Sequence, residues 1–152
     1  MEGELGYASG PTLGLGFILS LITASPFAHA DTVNVLLQDA TSGSNTTGMK
    51  MTVKPDSVKA GRVTIRATNQ SLGLVHEVII VRPPANGAEL PYDDNTGSVI
   101  EKWINDVGDV SDLPPGKSGS LTLTLAPGNY LLICNQPNHY QAGMRTQLTV
   151  TR

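Results

Sequence analysis

Cysteine is nearly absent from this sequence: of 152 residues only Cys134 carries a thiol. A framework of internal disulfides is thereby excluded. Aromatic residues make up 5% of the chain and charged residues 15%. Basic runs are missing and the net charge is −3, which argues against a nucleic-acid binder. There is no phosphate-binding glycine loop, no Ser-His-Asp set and no pair of carboxylates spaced for acid–base work. An enzyme is therefore not expected. What the chain does have is 16 Gly and 10 Pro among many Val, Thr and Leu, the composition of an all-β protein rich in turns. Its length suits one domain with a sizeable core.

The first thirty residues differ from the rest. Thr12 to Ala24 is a short apolar run, followed by Pro26 and Ala28-His29-Ala30. This is the pattern of a secretory signal peptide cleaved after Ala30, although Glu2 and Glu4 stand where a positive charge is usual. The run is too short for a span of about 20 residues, so no membrane anchor is expected once the leader is removed. The expected organisation is a leader over 1–30 and one domain over 31–152, periplasmic or secreted.

Along that domain, Asp31 to Gln38 reads as a first strand, and Met49 to Val53 as a short second one after the polar loop Thr41 to Gly48. Arg62 to Asn69 alternates with the period of a half-buried strand, placing Val63, Ile65 and Ala67 in the core. Val75 to Val81 is an apolar strand with His76 near its start. By alternation Glu77 faces solvent. Gly119 to Leu125, Asn129 to Cys134 and Arg145 to Thr151 are further strands. Between them lies a long insertion, Pro83 to Pro115. Its segment 97–107 spaces Val99, Ile100, Trp103, Ile104 and Val107 as one apolar helical face, with Ser98 as N-cap and Trp103 as the anchor. Residues 85–112 carry seven acids against Lys102 alone. Such a run is usually a solvated face, and it can also steer a basic partner.

The chemistry concentrates in Leu131 to Met144, L-L-I-C-N-Q-P-N-H-Y-Q-A-G-M. His139 follows Cys134 by five residues and Met144 follows by ten. With 3 His and 4 Met in the chain, composition alone produces that arrangement about once in 2,000 cases. A buried structural Cys, a surface His and a core Met are the plain alternative. Thiolate, imidazole and thioether are the donors of trigonal His₂Cys copper centres with a weak axial Met. The loop supplies three of these four. The remaining donor must come from elsewhere, and after leader removal the one other histidine is His76. Pro137 lacks an N–H, leaving Asn135 and Asn69 as candidate donors toward the sulfur.

This loop resembles that of cupredoxins, the small blue copper proteins. C-x₄-H-x₄-M is similar to rusticyanin and sulfocyanin, while azurin and plastocyanin have shorter variants. The lead-in L-x-P-G-x-Y-x-x-x-C is present as Leu125 to Cys134, and Asn69 to Glu77 resembles the strand that delivers the first histidine. The resemblance implies a Greek-key antiparallel β-sandwich of seven or eight strands, with His76, Cys134, His139 and Met144 holding one copper ion at one end. It implies a one-electron carrier between redox proteins of cytochrome or oxidase type. Such partners would dock near His139, beside Pro137, Tyr140 and Ala142. The alternative is a periplasmic copper-binding protein for resistance or delivery. Many relatives carry Asn directly after the first histidine, where this chain has Glu77. Asn138 stands where they often have Gly, a position expected to need a positive φ.

Overall fold

Alternation decides most of this architecture. In a computed structural model that describes residues 30–39 and 48–152, the chain forms eleven strands and a single turn of 3₁₀ helix. The expected leader, Ala30 excepted, and most of the polar loop 41–48 lie outside the described residues. Strand β1 (Asp31–Gln38) buries Val33, Val35 and Leu37 on one face. After β2 (Lys50–Lys54) and β3 (Ser57–Lys59), strand β4 (Gly61–Asn69) buries Val63, Ile65 and Ala67, the three positions expected. Strands β9 (Ser118–Leu125), β10 (Gly128–Ile133) and β11 (Arg145–Thr151) also fall where the sequence places them.

Two sheets face each other. One has the order β2-β1-β4-β9, the other β3-β11-β10-β5-β8, with β5 spanning His76–Arg82 and β8 spanning Asn105–Leu113. Most pairs are antiparallel, but β1–β4 and β3–β11 run parallel, as strands that cross between the layers of a sandwich do. Met51 is in the core and Met49 packs against it.

The insertion is not helical in the way its apolar spacing suggested. It forms a small hairpin, β6 (Tyr92–Asp93) with β7 (Ser98–Val99), then the 3₁₀ turn Glu101–Trp103, then the long edge strand β8. The five apolar residues do not share a face: Val99 is buried, whereas Trp103 is 65% exposed and anchors nothing. Ser98 lies in a strand and caps no helix; the turn has no side-chain cap. Strand β8 is itself irregular. Its ladder with β5 is interrupted by two register shifts, and Gly108 and Asp112 sit at positive φ. Each irregularity shifts the alternation, so Val110 and Leu113 are both buried at a spacing of three. Of the five residues only Val107 lies in β8: Val99 ends β7, Trp103 ends the 3₁₀ turn, and Ile100 and Ile104 flank that turn, so their spacing belongs to no single element.

What the insertion does is cover the outer face of the second sheet. Strand β5 alternates Val78 and Ile80 toward the main core and Ile79 and Val81 away from it. The second pair is buried with Leu90, Val99, Ile133 and Tyr140 in a separate apolar cluster. Both faces of β5 are thus dry, which explains its unbroken apolar sequence. No helix among the described residues is long and apolar enough to cross a membrane.

Candidate metal centre

The site follows from strand parity. On β5 the inward residues are His76, Val78 and Ile80; on β10 they are Tyr130 and Leu132, and the next inward position is Cys134. The two strands are antiparallel neighbours, pairing Ile133 with Ile79 and Leu131 with Val81. His76 and Cys134 therefore emerge at one end of the sandwich, on the same side of the same sheet.

The loop after Cys134 turns back on itself. His139 N–H donates to the Gln136 carbonyl (2.9 Å) and Met144 N–H to the His139 carbonyl (3.0 Å), while Cys134 N–H closes the neck on the Met144 carbonyl (3.0 Å). These bonds fold His139 over the Cys134 sulfur. Nδ1 of His139 lies 3.4 Å from Sγ, Nδ1 of His76 lies 3.9 Å from Sγ, and the two Nδ1 atoms are 3.1 Å apart. The triangle fits a metal ion: its equidistant point is about 2.0 Å from each donor, close to the roughly 2.0–2.3 Å bonds that imidazole and thiolate make to such ions. His76 and Cys134 are fully buried and His139 is 8% exposed. Met144 is fully buried in the same core cluster as Cys134.

Burial keeps the empty donors uncharged. Burial pushes the Cys134 thiol up to about 11, against the opposing backbone N–H groups of Gln136 and Glu77, so without a metal the sulfur stays protonated at neutral pH. Burial and the neighbouring His76 push the His139 imidazole down, toward the neutral ring that metals require. Neither donor expected toward the sulfur points there: the Asn135 N–H is taken by Glu77. Asn69 Nδ2 is committed to the Leu74 and Leu113 carbonyls (2.8 and 2.7 Å), where it ties the loop before His76 to the end of β8.

Three residues hold the loop in ways the sequence did not disclose. Glu77 is half-buried, not solvent-facing, because its Oε1 accepts the Asn135 N–H (3.0 Å). Glu77 thus ties β5 to the Cys–His loop from the position directly after His76. Burial raises its pKa, the Asn135 N–H opposes this, and Glu101, Asp112 and Asp109 push it further up. Asn135 in turn pairs with the Val99 backbone, accepting its N–H (2.6 Å) and donating to its carbonyl (3.0 Å), and also donates to Glu101 (2.8 Å). Asn138 has φ 67, as anticipated, and its N–H donates to the Gly97 carbonyl (2.7 Å). The β6–β7 hairpin is in effect a clamp on the Cys–His loop. Tyr140, expected at the surface beside His139, is instead buried under the insertion, stacked on Tyr92, with its hydroxyl donating to Glu89.

A family profile described as copper binding proteins, plastocyanin/azurin family, matches residues 37–151. The chain belongs to this family. Over 40 residues it is 60% identical to auracyanin-B of Chloroflexus aurantiacus, a stretch covering 26% of this chain and 17% of that protein. Among solved structures, an auracyanin B shares 27% identity over 82% of this chain and 91% of its own, with a TM-score of 0.54. Reduced auracyanin from Roseiflexus castenholzii (23% identity, 81% and 98% covered, TM-score 0.55) has the same fold. So does rusticyanin from Thiobacillus ferrooxidans (19%, 81% and 79%, 0.53). The fold is that of a cupredoxin, and copper is the metal it binds.

The clamp makes Gly97 critical. It sits at φ +70, and a Cβ there would lie 2.6 Å from Asn138 Oδ1 and 3.0 Å from Asn138 N. Gly97→Ala is expected to cost about 1–3 kcal/mol, since strain and a backbone clash add. Chemical denaturation measures the loss, and copper-site heterogeneity in the electron paramagnetic resonance spectrum should accompany it. A wild-type unfolding curve and spectrum would show that the hairpin does not clamp the loop.

Proposed function

We propose that this cupredoxin is a one-electron carrier whose copper would be held by His76, Cys134, His139 and Met144. The observation that carries the reading is the triangle of 3.1, 3.4 and 3.9 Å between three buried donor atoms. Copper, when bound, takes up and releases a single electron. The chain's part is to keep its donors still. His76 and Cys134 are fixed by neighbouring strands, and His139 by the self-bonded loop that Glu77 and the hairpin hold. Donors that do not move between oxidation states impose a small barrier on electron transfer. Burial of the site excludes water and extra ligands, which suits transfer and disfavours catalysis at the metal.

Partners of cytochrome or oxidase type fit this reading. Leu72 is 97% exposed, and Leu74 and Val75 are also exposed, all in the loop before His76; Pro137 and Ala142 are exposed beside His139. Such a small apolar rim suits a contact that forms and releases quickly. Export, with cleavage after Ala30, belongs to the same proposal and rests on the leader pattern.

Cys134→Ser is expected to abolish the intense thiolate–copper absorption and most of the copper affinity, because a hard oxygen replaces a soft sulfur. Met144→Leu should keep the copper and raise the reduction potential. Retained colour in the first variant, or lost copper in the second, would contradict these roles.

The acids of the insertion bear on partner choice. Glu101 Oε1 accepts from Asn135 Nδ2 (2.8 Å), and Asp112 accepts from Gln136 Nε2 (3.2 Å), so this charge stands beside the Cys–His loop. A basic partner should associate fast at low salt and more slowly as the Debye length shrinks from about 30 Å at 0.01 M to about 10 Å at 0.1 M. Stopped-flow reduction by a basic cytochrome should lose speed at low salt and flatten its salt dependence in the Asp109→Asn/Asp112→Asn protein. An unchanged slope would leave these acids a solvating role only.

A further inference from the structure

His76 has two ring nitrogens, and only one faces the other donors. Its Nδ1 lies in the triangle with Cys134 and His139; its Nε2 lies 2.9 Å from Oδ1 of Asp39. Asp39 follows directly on β1, the strand that pairs in parallel with β4 and ends beside the loop leading to His76. The second carboxylate oxygen, Oδ2, accepts the Leu72 N–H at 3.3 Å. Each oxygen has its own donor, so the carboxylate plane is fixed with respect to both the strand end and the loop. The His76 side chain is fully buried and that of Asp39 only 24% exposed. A charge so placed is felt more strongly than one in open solvent.

We propose that Asp39 is a positioning residue for the copper centre, acting through His76. The inference rests on the reading of His76 as a ligand. A carboxylate only accepts hydrogen bonds, and a neutral imidazole carries a single N–H. The Asp39 contact therefore places that hydrogen on Nε2 and leaves the Nδ1 lone pair free toward Cys134 and His139. It also holds the ring in plane, as carboxylate partners of metal-bound histidines do. Its negative charge makes the imidazole a stronger donor. That favours the more highly charged, oxidised copper over the reduced ion, so Asp39 holds the reduction potential down. The purely structural alternative is that Asp39 only fastens the end of β1 to the 70–75 loop; that role would respond to loss of the hydrogen bonds but not to loss of charge alone.

Two variants separate these roles. Asp39→Asn keeps an acceptor in place and removes the charge, whereas Asp39→Ala removes both. In the metal-free wild-type protein above neutral pH, nitrogen NMR of the histidines should find the His76 hydrogen on Nε2. In Asp39→Ala it should be divided between the two nitrogens. With copper bound, Asp39→Ala should weaken copper(II) affinity by about 10–100-fold, with a smaller loss in Asp39→Asn. Both variants should show a raised midpoint potential, and if Asp39→Ala fails to fold, Asp39→Asn decides the matter. A wild-type potential in Asp39→Asn, or a His76 hydrogen on Nδ1 in the metal-free wild type, overturns the proposal. His76→Gly is measured alongside: loss of its visible band together with an unchanged Asp39→Asn potential removes the Asp39 role alone. A retained band in His76→Gly removes the ligand reading beneath it.

Discussion

Three donor atoms converge within 4 Å of one another in an interior that admits almost no water, and the rest of the structure depends on keeping them there. Without a cation this is an unfavourable arrangement. Polar atoms facing one another in a dry cavity lose hydration and gain little in return. Local propensity cannot impose it. It is imposed by two neighbouring strands whose inward positions are fixed by the packed cores on either side, and by a loop closed through its own backbone bonds. The raised thiol and the lowered imidazole pKa are two signs of the same cost. A bound metal ion offsets that cost, so affinity and geometry have one origin.

Support reaches the centre from three directions. Glu77 approaches from β5, on the strand that carries His76, and takes the Asn135 N–H. The β6–β7 hairpin approaches from the insertion and holds Asn135 and Asn138 through the backbone of Val99 and Gly97. Asp39 approaches from β1, on the opposite sheet, and meets the far side of the His76 ring. The insertion is thus not a decoration. It covers the outer face of β5 and β10 and seats itself on the loop that carries Cys134 and His139.

The sequence disclosed some of this well. Strands with a strict period of two, such as β1 and β4, were legible to within a residue, because one buried face leaves an alternating record. The Cys134–His139–Met144 spacing was legible because soft donors are rare in this chain and their order is constrained by chemistry. Strand β8 was hidden because bulges at Gly108 and Asp112 break its alternation and leave no period-two record. Trp103 misled for a related reason: a large apolar residue suggests a core anchor, but a three-residue 3₁₀ turn has no buried face to place it on. Glu77 was assigned to solvent by parity alone, which ignores that a long carboxylate on an outward position can curl onto the neighbouring loop. The Asp39–His76 contact joins residues 37 apart through sheet topology, and nothing local to either residue signals it.

X-ray absorption of the copper-loaded protein in both oxidation states tests the central claim most directly, because it reads donor type and distance at the metal. The account predicts one short sulfur and two nitrogen neighbours, with the same inner set after reduction. A shell of nitrogen and oxygen alone, or one that gains or loses a donor between the two states, would contradict it.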